Sequence, residues 1–117
     1  MIIANPYSYM KIGICQFKDR VAPRYNHSTE IIIVTLNSKN KVREKKMITV
    51  GRLQPPGLTQ LLANHNIKTL ICGGIEEEYQ QALKEKNVLL IGNIIGVVDK
   101  VLNRFIEGNL HEGDIVR

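Results

Sequence analysis

Two cysteines and a histidine are the side chains of this sequence best suited to chemistry. Cys15 and Cys72 each end an apolar run, and His27 lies in the polar segment 16–28. Thiolate and imidazole suit iron-sulfur, zinc or copper centres, so these three side chains predict a metal site if the fold brings them together. Their spacing matches no metal signature. Taken alone, each cysteine is more often a small core residue, and His27 an exposed loop residue.

Two glycine-containing turns are candidate anion sites. Gly73 and Gly74 end one apolar run, and Gly92 and Gly96 bracket the turn after the next. Each turn leads into a predicted helix, whose first backbone N–H groups favour negative charge. The glutamates at 76–78 would repel a phosphate, so the second turn is the better candidate. Neither turn has the fuller dinucleotide or P-loop pattern.

The pattern of apolar residues predicts the elements that position these groups. Strands are expected at residues 11–15, 30–36, 41–50, 68–72 and 88–92, and helices at 58–66, 75–86 and 97–107. The first three strands form an antiparallel meander, and the last two belong to strand-turn-helix units with parallel neighbours. The prediction is a single α/β domain with a five-stranded mixed sheet, in the order 3-2-1-4-5, flanked by three helices. The cysteines and glycine turns then share one rim of the sheet.

Composition and length favour one small cytoplasmic domain. The chain has 117 residues, of which 44% are hydrophobic and 23% charged. The longest strictly aliphatic run, 31–34, is far shorter than the ~20 residues of a membrane span. The first ten residues lack a secretory pattern. With two cysteines, a disulfide framework is excluded and a reducing cytosol is expected.

The net charge of +5 is concentrated in residues 39–46. Lysines there are expected to protect an exposed edge strand from aggregation. Nucleic acid is the alternative partner, but no stacking aromatics are interleaved with the basic residues. No nucleophile-base arrangement or spaced carboxylate pair stands out. Strands 1 and 4 also lack the carboxylates of a two-metal nuclease.

Six segments taken together resemble the dinitrogenase iron-molybdenum cofactor family: residues 11–14 (Lys-Ile-Gly-Ile), 20–26 (Arg-Val-Ala-Pro-Arg-Tyr-Asn), 30–34 (Glu-Ile-Ile-Ile-Val), 61–67 (Leu-Leu-Ala-Asn-His-Asn-Ile), 70–75 (Leu-Ile-Cys-Gly-Gly-Ile) and 101–110 (Val-Leu-Asn-Arg-Phe-Ile-Glu-Gly-Asn-Leu). The resemblance implies a ribonuclease H-like domain over residues 10–110, similar to NifX and the NifB carboxyl-terminal part. Residues 1–9 are then a short extension and 111–117 a tail.

The resemblance also implies site residues. Many family members carry a histidine after the first strand that is a suspected cofactor ligand, and Arg24 stands at that position here. The segment is more similar to a branch with Pro-Arg-Phe-Asp-Cys, in which His27 takes the place of the cysteine. By this resemblance, Arg24 and His27 hold an anionic cluster through charge and ligation.

The resemblance implies a non-enzymatic carrier of an iron-sulfur or iron-molybdenum cluster, or its precursor, in metal-cofactor biosynthesis connected with nitrogen fixation. Its partners are the cluster and a cluster-assembly or acceptor protein. The alternative is a protein-interaction or regulatory module that kept the fold and lost the cluster. The predicted cofactor-binding residues are Arg24, His27, Gly73, Gly74, Gly92 and Gly96, and the predicted metal ligands are Cys15, His27 and Cys72.

Overall fold

The strand β1, Tyr9–Phe17, lies at the centre of the sheet in the computed structural model, which describes residues 9–51 and 53–117. The other strands are β2 (Arg20–Val21), β3 (Glu30–Asn37), β4 (Val42–Thr49), β5 (Thr69–Ile71) and β6 (Leu89–Ile91). The helices are α1 (Pro55–Asn64), α2 (Glu77–Glu85) and α3 (Val98–Ile106). The mixed α/β domain with three helices is therefore confirmed. Most of the predicted extension, residues 1–8, lies outside the described residues.

The sheet has six strands, so the predicted count of five was wrong. The missed strand, β2, is too short for an alternating pattern to indicate it, and it folds back onto the end of β1, where Gln16 pairs with Val21. The additional strand renumbers its successors, so the order is β4-β3-β1-β5-β6 rather than 3-2-1-4-5, with β2 beside β1. The pairing of β1 with β3 is antiparallel, and its pairing with β5 is parallel. The ribonuclease H-like relationship stays a prediction.

Apolar side chains cover both faces of the sheet. On one face, Val98, Val101 and Leu102 of α3 pack into a core with inward residues of β1 and β3. On the other face, Leu58 of α1 and Leu83 of α2 belong to the second core. Because helices lie on both faces, β3 is buried along nearly its whole length, as is typical of a strand inside an α/β sandwich.

Local sequence explains where the helices begin and end. Pro55 is the first residue of α1, a position where a missing N–H costs nothing. Asn66, Asn87 and Gly108 follow the three helices with positive φ angles of 58°, 61° and 75°. Asparagine and glycine tolerate this left-handed conformation, which closes a helix carboxyl end. No described helix is both long and apolar enough to cross a membrane.

The segment after α3, which includes the predicted tail, packs against the domain. Leu110 and Val116 are buried in the core that contains α3. The Val116 N–H donates to the carbonyl of Ile95 at 2.8 Å, and the Ile95 N–H donates to the carbonyl of Asp114 at 3.1 Å. The last residues therefore reach the turn that follows β6.

Candidate functional site

The carboxyl ends of β1, β5 and β6 meet at one rim of the sheet because these strands run parallel. The loop after β2 and the turns after β5 and β6 are joined there by backbone hydrogen bonds. Ligands of open α/β sheets bind beyond the carboxyl ends of their strands. The rim is therefore the candidate site.

The turn after β5 touches the backbone of the loop after β2. Gly74 donates its N–H to the carbonyl of Pro23 at 2.7 Å, and Tyr25 donates its N–H to the carbonyl of Gly74 at 2.8 Å. A Cβ atom on Gly73 would clash with the carbonyl oxygen of Ala22 and would lie 2.5 Å from that of Pro23. Glycine at position 73 is what allows the two backbones to approach this closely.

The turn after β6 is fastened to β2 in a similar way. Val21 donates its N–H to the carbonyl of Gly96 at 2.9 Å, and Val98 donates to the carbonyl of Asp19 at the same distance. Arg20 and Val97 form an isolated bridge between these segments. The bonds hold Arg20 beside the start of α3.

A cavity of about 450 Å³ lies between these fastened segments. It is lined by residues from the β2 loop and from both turns: Arg20, Val21, Pro23, Gly73, Gly74, Asn93, Ile94, Ile95 and Gly96. Its volume is in the range of small-molecule and cofactor sites. The described part of its lining combines apolar side chains with glycine backbone and the cation Arg20, which suits a compact anionic ligand with an apolar surface.

Positive charge lies at the mouth of this cavity. Arg20 and Arg24 are exposed, and a Cβ atom built on Gly74 would be 3.6 Å from Nη1 of Arg24. Within the described part of the chain, neither arginine has a carboxylate partner. Both guanidinium groups can therefore direct their charge and N–H donors to a ligand.

Negative charge lies on the other side of the rim, at Glu112. Its Oε1 would be 3.5 Å from a Cβ atom on Gly92. The charge of Glu112 also contributes to raising the pKa of Cys72, after the larger effect of burial. An anion is consequently favoured on the arginine side of the rim and opposed beside Gly92.

Both thiols are buried in the core beneath the rim. Neither Cys15 nor Cys72 is exposed to any extent. Burial raises the pKa of Cys15 to about 12, against a smaller opposing effect of a hydrogen bond with Ser28. Burial also raises the pKa of Cys72, and that thiol donates to the carbonyl of Gly73 at 3.4 Å. Protonated thiols at neutral pH are poor metal ligands, because the thiolate is the ligating form.

A single turn of 3₁₀ helix, Tyr25–His27, explains why the histidine does not join the thiols. Tyr25 is fully buried with Cys15 and Cys72, and its hydroxyl is 2.8 Å from Oγ1 of Thr59. Burial raises the pKa of the Tyr25 phenol. With Tyr25 occupying the inward position of this turn, His27 is left exposed to solvent.

The predicted metal set of Cys15, His27 and Cys72 is corrected by this arrangement. The two thiols lie in the core and the imidazole lies outside it. Across residues 9–51 and 53–117, no three His, Cys, Asp or Glu side chains form a group that could hold a metal ion. Cys15 and Cys72 are therefore small core residues and His27 is an exposed loop residue.

The predicted cofactor-binding residues fall into two groups. Gly73, Gly74 and Gly96 line the cavity. Arg24 contacts the Gly74 turn at the mouth, whereas His27 and Gly92 are not in the lining. Gly92 is buried, and its carbonyl accepts a hydrogen bond of 3.0 Å from the N–H of Gly113. The tail thus covers part of the turn that was predicted to be the better anion site.

Sequence reasoning missed several residues of the cavity. From the sequence, no role was predicted for Arg20, which supplies the cation among the described residues of the lining. Asn93 and Ile95 also line the cavity. Asn93 has a φ of 57°, a left-handed conformation that asparagine tolerates and that is a signal for a turn. The pairing of Ile95 with the tail had no local signal.

Comparison with known proteins identifies the family and relates the fold to solved structures. The dinitrogenase iron-molybdenum cofactor family matches residues 10–108. The crystal structure of PH0822 superposes with a TM-score of 0.81 at 18% identity, covering 88% of this chain and 94% of that one. MJ0327 of Methanocaldococcus jannaschii gives a TM-score of 0.72 at 25% identity, covering 90% and 95%.

A third solved structure is a protein from Thermotoga described as a NifB protein. Its TM-score is 0.67 at 22% identity, and the alignment covers 92% of this chain and 97% of that one. Among curated proteins, none matches the sequence. The match to the family extends over most of the chain, including both turns of the rim and the β2 loop. The chain therefore belongs to the dinitrogenase iron-molybdenum cofactor family.

Proposed function

We propose that this chain is a non-enzymatic carrier of an iron-sulfur or iron-molybdenum cluster, or its precursor, during metal-cofactor biosynthesis. The observation that carries the proposal is the rim cavity, with Arg20 in its lining and Arg24 at its mouth. Membership of the family adds support, as does the likeness in fold to a protein described as NifB. The cluster is cargo, received from one assembly protein and passed to another.

The cavity suits such cargo through charge rather than through thiolates. Guanidinium groups provide charged, directed N–H donors to an anion. The side chains of Arg20 and Arg24 supply the positive charge, and the exposed imidazole of His27 supplies one ligand of suitable softness. The cluster must arrive with its remaining ligands already in place, since Cys15 and Cys72 are buried.

The second candidate function is a protein-interaction module that has lost cluster binding. The observation that favours it is the burial of both thiols, together with the absence of a metal-ligating group among the described residues. Under either function no catalytic step is assigned. Two free, buried thiols suit the reducing cytoplasm for both.

The test is anaerobic loading of the purified protein. The chain is incubated with iron, sulfide and a small thiol, with and without molybdate, and the visible spectrum and metal content are recorded after desalting. We expect retained colour and near-stoichiometric cluster in the wild type. Arg20→Gln combined with Arg24→Gln is expected to lower retention by roughly tenfold or more, since each charge-assisted contact contributes strongly.

Matched variants separate the two functions. Lys84→Gln combined with Lys86→Gln removes the same charge from exposed positions in and just after the last turn of α2 and should leave loading unchanged. Cys15→Ala and Cys72→Ala should also load normally. A colourless wild type would contradict the carrier function and favour the protein-interaction module. Loss of colour in the cysteine variants alone, with folding intact, would mean that thiolates hold the cluster.

A further inference from the structure

The strand β4, which contributes nothing to the rim cavity, is unusually exposed. Seven of its eight residues are exposed, and only Ile48 is half-buried. Val42 and Met47 are among the exposed hydrophobic residues, at 45% and 60%. Within the described part of the chain β4 pairs with β3 and with no other strand. Among residues 9–51 and 53–117, therefore, nothing pairs with one long edge of the sheet.

The hydrogen-bond register shows which backbone groups point outward from this edge. Val50 donates its N–H to the carbonyl of Thr29 at 2.9 Å, and Thr49 is the register partner of Glu30. Bonded and open positions alternate along an antiparallel pair. The N–H and carbonyl groups of Lys45, Met47 and Thr49 consequently face away from β3. They form a template for one more strand.

The side chains around this template are basic. Lys39, Lys41, Arg43, Lys45 and Lys46 lie on β4 and the turn before it, against a single acidic residue, Glu44. Lys45 is engaged with Asp99, its Nζ lying 2.9 Å from the carboxylate. The remaining cations have no carboxylate partner among the described residues. An additional strand that pairs with this edge would lie beside positively charged side chains on both faces of the sheet.

We propose that the outer edge of β4 binds an extended acidic segment of a partner protein as an additional strand. Main-chain hydrogen bonds to positions 45, 47 and 49 provide the affinity, and alternate acidic side chains select the partner through the flanking lysines and Arg43. A second copy of this chain does not fit, because its β4 would oppose like charges. Nucleic acid fits less well, since its bases would find no stacking platform among residues 39–49.

The proposal gives the basic residues two effects at once. Lysines on an edge strand prevent pairing with identical or apolar strands. The same charges favour a strand that carries carboxylates, so protection from aggregation and selection of a partner share one physical cause. The edge of β4 contributes no residue to the rim cavity, so the cavity stays open while a partner is bound.

The test uses a fluorescein-labelled peptide of alternating glutamate and threonine, titrated with the full chain and followed by anisotropy. Binding should weaken with added salt, and a peptide of alternating lysine and threonine should not bind. Met47→Pro removes one N–H group that faces away from β3, so no hydrogen bond to β3 is lost. Proline is tolerated at such edge positions. We expect the affinity of this variant for the peptide to fall by roughly fivefold or more, because one main-chain hydrogen bond is lost and the proline ring obstructs the added strand.

Charge variants and hydrogen exchange complete the design. Arg43→Gln with Lys46→Gln should weaken binding, whereas Lys84→Gln with Lys86→Gln should not. In the wild type, the peptide should slow exchange of the amides at 45, 47 and 49, a result that does not depend on the folding of the proline variant. The proposal is overturned if Arg20→Gln with Arg24→Gln abolishes binding while the β4 variants retain it. Tight binding of duplex DNA with no binding of the acidic peptide would overturn it as well.

Discussion

Pro23 and Gly74 are joined through their backbones, the Gly74 N–H donating to the Pro23 carbonyl at 2.7 Å. This bond crosses from the loop after β2 to the turn after β5, which are far apart in the sequence. Because of this bond, Arg24 lies beside the turn after β5, and the cavity has a wall on this side. The rim is therefore a single unit whose parts respond together to substitution.

Gly73→Ala should disrupt this unit. The added Cβ would meet the carbonyl oxygens of Ala22 and Pro23, and overpacking against backbone costs about 1 to 3 kcal/mol or more. Urea unfolding followed by circular dichroism measures the change. Gly51→Ala is the matched control, since nothing lies within 4 Å of the new methyl group. Equal stability of the two variants would contradict the close approach at Gly73.

Tyr25→Phe should destabilise the domain because it leaves the buried Thr59 hydroxyl without the phenol, 2.8 Å away. A buried polar group that loses its partner costs about 1 to 3 kcal/mol. A double-mutant cycle with Thr59→Val tests the pairing. The double variant should lose less stability than the sum of the two single variants. Additive losses would show that the hydroxyl groups do not interact.

Stability should fall at alkaline pH because the pKa of the Cys15 thiol is about 12 in the folded protein, above the roughly 8.5 of an exposed cysteine. The pKa values of Cys72 and Tyr25 are raised in the same direction by burial. The unfolded chain therefore releases protons that the folded chain retains. Each thiol contributes a decrease of up to about 1.4 kcal/mol per pH unit above its unfolded pKa.

Denaturant unfolding between neutral pH and pH 10.5 measures this decrease. Cys15→Ala and Cys72→Ala should each give a shallower decrease than the wild type, since each removes one titrating thiol. The native protein should also react slowly with a disulfide reagent and release both free thiols only when unfolded. Fast labelling of the folded protein, or stability that does not change with alkaline pH, would contradict the burial of the thiols.

Val116→Ala tests whether the last residues stabilise the turn after β6. Val116 is only 5% exposed, and its side chain lies 3.0 Å from the position of a Cβ on Gly96. Loss of its two buried methyl groups should cost roughly 1 to 3 kcal/mol. Its neighbour Ile115 is 56% exposed, so Ile115→Ala should change stability by less than about 0.5 kcal/mol. A larger loss of stability in Ile115→Ala than in Val116→Ala would contradict the packing of Val116 against this turn.

The regular elements could be predicted because their signals are local. The apolar residues of α3 recur at helical spacing, and Gly108 follows it at the predicted end. The uninterrupted apolar run in β3 indicates a strand covered on both faces. The pairing of β1 with β5 follows from the handedness and length of crossover connections. Each of these inferences needs only neighbouring residues or general topology.

The candidate site could be predicted only in part, because it depends on contacts between distant segments. The rim was expected from the parallel strands, and the glycines at 73, 74 and 96 were expected in it. That Arg20 lines the cavity depends on β2, a strand of two residues with no pattern of its own. The position of the tail depends on hydrogen bonds between Ile95 and residues 114 and 116.

The sequence by itself determined the family, the helices, the longer strands and the end of the sheet where the candidate site lies. Only the tertiary structure decided which way the reactive side chains face. Cys15, Cys72 and Tyr25 point into the core, where burial keeps them protonated, while Arg24 and His27 remain in solvent. Residue type alone cannot distinguish these outcomes, because the same cysteine is a ligand when exposed beside a cation and a hydrophobic residue when buried.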